Sequence, residues 1–413
     1  MRDTTDLDQD MMQALARLAV RVGLNLQSGQ ELLMTAPTSA LPLARAITAE
    51  AYRAGATLVT PVFSDADIAR ARYIYGQDAA FDHAPGWLYD GMAHAYDGGA
   101  ARLALVGEDP FLLSDQDSAQ VGRANRANAT AYRPALSHIA EFRINWSIIA
   151  CPTPAWAARI FPDLPEAEAL ARLAASVAST ARLDQDDPVS AWASHNAGLA
   201  RRCAMLNAAR FDTLHFSGMG TDLRVGLAEG HFWQGGATQA RNGVICNPNI
   251  PTEEVFTTPH AARVDGVVRA TKPLSHHGTL IEGIEMRFEG GRAVSATATR
   301  GQDVLSQMIG TDEGAARLGE VALVPHSSPV SQCGHLFYNT LFDENAASHI
   351  AMGQCYASCL EGEDLSPDAI AARGGNSSLI HVDWMIGDAR TNVDGLRAGA
   401  DPVPLMRAGE WVI

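Results

Sequence analysis

A histidine and an aspartate interrupt a segment that otherwise has the pattern of a buried strand. Residues 377–388 carry an apolar side chain at every second position from Ile380 to Ile386, which predicts a strand with one buried face. His381 and Asp383 share the opposite face, roughly 6–7 Å apart along a strand that rises about 3.3 Å per residue. Burying a carboxylate costs several kcal/mol unless it is paired or bound to a metal ion. The segment alone leaves open whether the two residues form an internal hydrogen-bonded pair or bind a cation.

Three glutamates also stand beside apolar runs in the second half of the chain. Glu253 and Glu254 lie between a proline-bounded loop and the strand-like run Val-Phe-Thr-Thr, and Glu320 lies at the start of the run Val-Ala-Leu-Val. Taken singly, each has an ordinary structural explanation. Glu254 would form half of a surface ion pair, and Glu320 would cap an element or form a salt bridge.

Residues 337–356 have the pattern of a loop that leads into a helix. Asp343 or Asn345 is the expected N-cap of that helix. His349 and Tyr356, seven residues apart, would then lie on one helix face, two turns from each other. A single histidine on a helix is more often a hydrogen-bonded structural residue than a metal ligand.

Three carboxylates and two imidazoles from these segments form a mixed oxygen and nitrogen set: Glu254, Glu320, His349, His381 and Asp383. Zinc, cobalt and manganese accept such a set. Five ligands exceed the three protein ligands plus water of a usual catalytic zinc site. They fit two metal ions roughly 3.5–4 Å apart that share one carboxylate, the arrangement of aminopeptidases and phosphatases, in which a bridging water is activated.

Several segments resemble the aminopeptidase T and aminopeptidase S family of dinuclear metallo-aminopeptidases: NIPTEEVFTTP, GEVALVP, LFYNTLFDENAASHIAMG, IHVDWMIG and VPLMRAGEW. The resemblance extends over nearly the whole chain. It implies a cofactor of two divalent ions (zinc, cobalt or manganese) and peptide substrates with a free N-terminus, cleaved with broad specificity. It also implies two-domain chains that form a homodimer, with the catalytic sites enclosed by the assembly.

The same resemblance implies a role for each site residue. The metal ligands would be Glu254, Glu320, His349, His381 and Asp383. Glu320 would be the carboxylate that bridges the two ions. Glu253 would support a ligand or act as the general base. Tyr356 matches the active-site tyrosine of the family, and a phenol there can donate a hydrogen bond to the developing oxyanion.

Two other interpretations of these residues stay open. His349, His381 and Asp383 alone form the two-histidine, one-carboxylate set of mononuclear iron(II) oxygenases. A protein that binds metal or peptide without catalysis would use the same side chains. Two metal ions per chain with hydrolysis would identify the peptidase, whereas one iron with oxygen uptake would identify the oxygenase.

One loop departs from what the resemblance predicts. It contains Lys272, the single lysine among 31 lysine and arginine residues, followed by His276 and His277. A compact ammonium at Lys272 is a candidate for charge stabilisation if it faces the site. The two histidines stand where an aromatic residue or glycine is expected, and either shape the substrate pocket or represent ordinary loop variation.

The composition of the chain limits the classes of binding partner and indicates the cellular compartment. The formal net charge of −16 over 413 residues argues against nucleic acid or an anionic membrane as a partner, since both require basic surfaces. No apolar run reaches the roughly 18–20 residues of a membrane span, and the acidic N-terminus is unlike a signal peptide. The six cysteines are scattered without a Cys-x-x-Cys pair, which indicates reduced thiols and a cytoplasmic protein.

The pattern of helical and extended segments differs between the two halves of the chain, which predicts two domains. Extended runs at 31–37, 56–63, 101–109 and 144–152 alternate with helical patterns, which predicts an α/β N-terminal domain (1–210) with a parallel sheet and flanking helices. From about residue 211, short extended runs are separated by Gly, Asn and Pro turns, with a hairpin signal at Gly290-Gly291. Residues 211–413 are therefore expected to form a β-rich α+β catalytic domain that binds the metals.

Overall fold

The structure, a computed structural model, describes residues 9–276 and 278–413. His277, one of the two adjacent histidines noted above, lies outside the described residues. The α-helices in the described ranges are α1 (Gln9–Leu18), α2 (Leu41–Arg53), α3 (Ala66–Tyr75), α4 (Gly86–Asp97), α5 (Ser118–Ala140), α6 (Pro154–Ile160), α7 (Glu166–Thr180), α8 (Pro188–Ala209), α9 (Gln302–Ile309), α10 (Pro329–Gln332), α11 (Thr340–Asp343) and α12 (Pro367–Ala372). Among these helices, none is long and apolar enough to cross a membrane.

The strands in the same ranges are β1 (Glu31–Pro37), β2 (Leu58–Ser64), β3 (Ala101–Val106), β4 (Trp146–Ala150), β5 (Thr213–Gly218), β6 (Thr221–Leu227), β7 (Thr238–Gln239), β8 (Ile245–Cys246), β9 (Asn249–Ile250), β10 (Val255–Thr257), β11 (Pro259–Arg269), β12 (Leu274–His276), β13 (Thr279–Ile281), β14 (Glu285–Glu289), β15 (Arg292–Thr297), β16 (Leu318–Leu323), β17 (His349–Gly353), β18 (His381–Met385), β19 (Asn392–Leu396), β20 (Val403–Arg407) and β21 (Glu410–Trp411).

The chain divides into two compact units. One extends to His195 and includes Ala237–Pro251, and the other consists of Asn196–Gly236 and Thr252–Ile413. The single boundary that the sequence predicts between residues 210 and 211 stays a prediction.

The first unit is built on a parallel five-stranded sheet in the order β2-β1-β3-β4-β9. Successive side chains of a strand point to opposite faces. In β1, Leu32 and Met34 accordingly pack with α1 and α2, whereas Leu33 packs with residues of α4 and α5. Both faces of the sheet are therefore covered by helices, and the predicted α/β class of this part of the chain is confirmed.

The second unit is β-rich, as predicted. An eight-stranded sheet has the order β15-β14-β11-β6-β5-β19-β20-β21, and a four-stranded sheet has the order β10-β16-β17-β18. Their apolar faces contribute to one buried cluster that includes Phe216, Phe288 and Trp384. The hairpin predicted at Gly290-Gly291 joins β14 to β15, and both glycines have positive φ (54° and 80°), which glycine adopts without steric penalty.

The four-stranded sheet has one apolar and one polar face. Its strands are antiparallel, and the register sets Val321, Ile350 and Trp384 side by side on β16, β17 and β18. All three are fully buried in the apolar cluster. The neighbouring positions in each strand point to the opposite face, which carries the ionisable residues.

The helix predicted for the segment that contains His349 and Tyr356 is wrong. Residues 349–353 form β17, which is paired on both sides by β16 and β18. Ile350 and Met352 repeat at the period of a strand and enter the core, an alternation that the helix-favouring alanines and methionine of the segment obscure. His349 and Tyr356 therefore do not share a helix face.

The expected caps at Asp343 and Asn345 are also wrong. The short helix α11 is capped by Asn339, whose side-chain oxygen accepts the N–H of Leu341 at 3.1 Å. The Asp343 carboxylate instead accepts the backbone N–H groups of Phe337 and Asn339, at 2.8 and 3.0 Å. These bonds hold the segment before β17 in a compact turn rather than a long helix.

Replacing Ile350 by alanine should lower the free energy of unfolding by about 2–5 kcal/mol, because the side chain is fully buried between Val321 and Trp384. Urea unfolding followed by tryptophan fluorescence measures the change. Val294→Ala is the control, since Val294 is 52 % exposed and its loss should change stability by less than about 0.5 kcal/mol. Equal effects of the two variants would contradict the assignment of Ile350 to the core face.

Candidate metal centre

Strand register brings four of the five predicted ligands to one face of the four-stranded sheet. Glu320 of β16 pairs with Ala351 of β17, which in turn pairs with Asp383 of β18. Residues two positions apart on a strand share a face, so His349 joins Ala351, and His381 joins Asp383. The apolar residues on the other face fix this arrangement, because a slip of one residue would bury the charges in the core.

The fifth predicted ligand, Glu254, immediately precedes β10, the edge strand that pairs with β16. Its Oε2 lies 3.1 Å from His349 Nε2, and its side chain is 9 % exposed. The loop that ends at Glu254 therefore delivers a third carboxylate to the polar face.

The five side chains form two groups that share Glu320. Glu254, Glu320 and His349 make one group, and Glu320, His381 and Asp383 make the other. Glu320 Oε1 lies 3.7 Å from His349 Nε2, whereas its Oε2 lies 3.2 Å from His381 Nε2. Asp383 Oδ1 lies 3.4 Å from His381 Nε2. Glu320 thus turns one oxygen towards each group.

Both imidazoles are oriented by the backbone. His349 Nδ1 lies 3.1 Å from the carbonyl oxygen of Ala347, and His381 Nδ1 lies 2.7 Å from that of Gln354. A proton on Nδ1 donates to each carbonyl and leaves Nε2 facing the carboxylates. Metal-binding histidines are commonly oriented in this way.

The residues fit a metal ion better than they fit one another. Glu254 Oε2, His381 Nε2 and Asp383 Oδ1 are buried and make no hydrogen bond within the described residues, although each lies close to an oppositely polar atom. Buried polar atoms are normally hydrogen-bonded, so such exceptions require a cause. Carboxylate oxygens and imidazole nitrogens aimed at common points are the donor set that divalent metals bind.

Charge in the cluster shifts the pKa of both imidazoles. Burial alone would lower the pKa of His381, but Asp383 and then Glu320 outweigh burial and raise it to about 11. Burial likewise opposes protonation of His349, whose pKa is nevertheless raised well above its ordinary value by Glu254 and Glu320. Without metal, the imidazoles therefore hold protons that compensate the buried carboxylates.

The carboxyl groups respond to the same environment in opposite ways. Burial raises the pKa of Glu254 despite the opposing effect of His349. Burial would also raise the pKa of Asp383, but the charge of His381 lowers it below the ordinary value. A divalent cation at this place would stabilise the ionised forms of both carboxylates.

The two predicted catalytic residues lie at the edge of the cluster. Glu253 is 4 % exposed, and its backbone N–H donates to Asn345 Oδ1 at 2.7 Å. The Tyr356 ring lies 4.6 Å from the ring of His381 and 5.7 Å from that of Phe256, measured between centroids. Although 44 % of Tyr356 is exposed, the packing around its phenol, followed by the charges of Glu320 and Asp383, raises its pKa well above the ordinary value.

Sequence reasoning missed Glu344. Burial, followed by the nearby carboxylates of Glu254 and Asp383, raises the pKa of Glu344 well above the ordinary value. The available signal was its place in the polar triplet Asp-Glu-Asn directly before an apolar run. Because a helix was predicted here, the triplet was interpreted as its N-terminal cap. That interpretation gave Glu344 no position relative to the strands.

The loop that contains Lys272 and His276 contributes no residue to the five-residue cluster. Burial, followed by the positive charge of Lys272, lowers the pKa of His335. The same charge opposes the rise in the pKa of Asp343, which burial brings to about 7. His276 ends β12 and pairs with Thr279 of β13. A role for either residue in catalysis or specificity stays a prediction.

Comparisons with known proteins identify the family of this chain. The sequence profile of the thermophilic metalloprotease (M29) family matches residues 8–411. The chain is 54 % identical over 402 residues to aminopeptidase T of Thermus thermophilus, covering 97 % of this chain and 98 % of that protein. It is 43 % identical to aminopeptidase 2 of Geobacillus stearothermophilus, covering 96 % of each. The solved structure of wild-type AmpT from Thermus thermophilus superposes with a TM-score of 0.94 at 52 % identity, covering 98 % of this chain and 100 % of that one.

The chain therefore belongs to the thermophilic metalloprotease (M29) family, which includes these aminopeptidases. It is a metal-dependent aminopeptidase, a hydrolase that acts on peptides, as the sequence resemblance implied.

Metal binding by the metal-stripped protein should release protons and weaken as the pH falls. His381 has a pKa of about 11 and His349 a raised pKa, so both hold protons at neutral pH that a metal must displace. Calorimetric titration at pH 7.5 in buffers of different ionisation enthalpy should show about two protons released per chain.

His83→Gln provides the control for this titration, since His83 is an exposed histidine of the first unit. This variant should release the same number of protons as the unmutated protein. Binding heats that do not depend on the buffer would contradict the assignment of His349 and His381 as protonated, metal-displaceable groups.

Proposed function

We propose that the protein hydrolyses N-terminal residues from peptides, with broad specificity, using two divalent ions of zinc, cobalt or manganese. The observation that carries this proposal is the pair of ligand groups that share Glu320, with one carboxylate oxygen facing each group. When bound, two such ions polarise the scissile carbonyl and acidify a shared water near neutral pH. The ligands in this proposal are Glu254, Glu320, His349, His381 and Asp383.

Glu253 is our candidate for the general base. Its backbone is fixed by Asn345, and its side chain is almost fully buried. The negative charge of Glu253 acts on Arg202, whose guanidinium lies over the ring of Trp411 at 5.3 Å. A general base at this position would accept a proton from the attacking water through its carboxylate oxygen.

Tyr356 is our candidate for oxyanion stabilisation. Because its pKa is raised, the phenol keeps its proton at neutral pH and can donate it in a hydrogen bond. Its ring contacts His381 and so lies next to one of the two ligand groups. A donor aimed at developing negative charge typically contributes about 10²–10³-fold to kcat.

The oxygenase alternative receives less support from the geometry. A mononuclear iron(II) site would take His349, His381 and Asp383 as one facial set. Here His349 groups with Glu254, whereas His381 groups with Asp383, and Glu320 connects the two. This separation favours two ions, and the membership of a metalloprotease family favours hydrolysis over oxygen chemistry or passive binding.

A homodimer and a cytoplasmic location complete the proposal. Exposed apolar side chains of the first unit, among them Ile68, Tyr75 and Trp87, suit a protein contact. All six cysteines are free thiols, which suits a reducing compartment. A monomer in sedimentation equilibrium would contradict the dimer, and cell fractionation tests the location.

Reloading the metal-stripped protein with one type of ion at a time should restore cleavage of aminoacyl anilides at two ions per chain, because each ligand group holds one ion. Elemental analysis measures the stoichiometry, and N-acetylated anilides serve as control substrates. Full activity at one ion per chain would contradict the two-metal centre. Cleavage of the N-acetylated substrates would contradict the exopeptidase assignment.

Tyr356→Phe should lower kcat by roughly 10²–10³-fold with a smaller change in KM, because it removes a hydrogen bond that forms chiefly in the transition state. Steady-state kinetics on leucine p-nitroanilide measure both constants. Tyr75→Phe is the matched control, since Tyr75 is 82 % exposed in the first unit. An unchanged kcat in Tyr356→Phe would remove this tyrosine from the mechanism.

A further inference from the structure

A small cavity lies beside the candidate metal centre, next to Asp383. Its volume is about 20 Å³, enough for one group the size of a water molecule or an ammonium. The residues that line it include Asp383, Glu344, Leu274 and Met385. The side chain of Asp383, a proposed metal ligand, is 8 % exposed. It therefore lies between the proposed metal centre and a space that suits a small polar group.

Glu344 is held at this cavity by the turn before β17. Asp343 fixes the backbone on one side through its two accepted hydrogen bonds. Asn345 fixes it on the other by accepting the N–H of Glu253, and its amide Nδ2 lies 3.5 Å from Glu344 Oε1. Within the described part of the chain, no arginine or lysine forms an ion pair with Glu344. The backbone around Glu344 is thus held by its neighbours, and its carboxyl group has no arginine or lysine partner in the described ranges.

Charge balance indicates what would complete this arrangement. Two divalent ions, the three proposed ligand carboxylates and one hydroxide would together have no net charge. The negative charge of Glu253 acts on Arg202, and Lys272 acts on Asp343. With both ions bound, an ionised Glu344 would therefore add one negative charge that none of these groups compensates, beside a space for one small group. A monovalent cation with N–H donors is complementary to both features.

We propose that Glu344 binds the free α-ammonium group of the peptide substrate in this cavity and thereby selects unblocked N-termini. This inference rests on the proposed aminopeptidase function. It names the residue that recognises the α-ammonium nitrogen of the substrate. The ammonium donates a charge-assisted hydrogen bond to the Glu344 carboxylate. Leu274 and Met385 are buried walls of the cavity that limit water and so strengthen this bond. An acylated N-terminus has no charge and exceeds the volume of the cavity.

Glu344→Gln tests the proposal because it keeps the size of the side chain and removes its charge. The probes are leucinol, which has the amine and is not hydrolysed, and 4-methylpentan-1-ol, which lacks it. Calorimetry on the metal-loaded protein should show leucinol binding weakened roughly 10- to 100-fold, the loss of a charge-assisted hydrogen bond, with 4-methylpentan-1-ol unaffected. Elemental analysis should still find the metal content of the unmutated protein.

Two further variants control the experiment. Glu363→Gln removes the charge of an exposed glutamate and should leave the affinity for leucinol unchanged. Glu344→Asp keeps the charge and should retain part of the preference for leucinol over 4-methylpentan-1-ol. In kinetics on leucine p-nitroanilide, Glu344→Gln should raise KM more than it lowers kcat.

The possible failures are distinguishable. Equal leucinol affinity in the unmutated protein and Glu344→Gln would overturn the inference, as would equal weakening of both probes or loss of metal. Absence of anilide cleavage by the unmutated, metal-loaded protein would overturn the proposed function. In that case a leucinol preference that depends on Glu344 would still support an amine site.

Discussion

Three carboxylates buried within a few ångströms of one another need compensating positive charge, and this requirement determines the chemistry of the second unit. In the protein without metal, the two imidazoles provide it by holding protons, as their raised pKa values indicate. Protonated imidazoles compensate the buried carboxylates less completely than a metal ion would, because buried donor and acceptor atoms still lack hydrogen bonds. The folded chain is therefore prepared for divalent cations before they bind.

The four-stranded sheet meets this requirement because its two faces have opposite character. Val321, Ile350 and Trp384 form a fully buried apolar row, and the positions beside them carry the proposed ligands. The hydrophobic contacts of one face thus hold the charges of the other face in register. Strands are suitable supports for such a centre, since paired neighbours limit the movement of each ligand.

The elements that depend on local pattern were predictable from the sequence. The strand β1 has the predicted bounds, the hairpin at Gly290-Gly291 forms as expected, and the strand with His381 and Asp383 is present. The local pattern failed at β17, where alanines and methionine favour a helix but pairing with β16 and β18 imposes a strand. Glu344 was missed for the same reason, since its position depends on partners distant in sequence.

The alanine between two of the proposed ligands affects how far their side chains must reach. Ala351 lies between Glu320 and Asp383, whose Cα atoms are separated by two strand spacings, roughly 9–10 Å. The methyl group of Ala351 is short, so the side chains of Glu320 and Asp383 must extend across β17 to meet. Glutamate reaches one methylene further than aspartate, so exchanging the two acids would move an oxygen by more than a metal–ligand bond tolerates. In the proposed centre, the strand spacing would therefore set the side-chain length, as well as the charge, at Glu320 and Asp383.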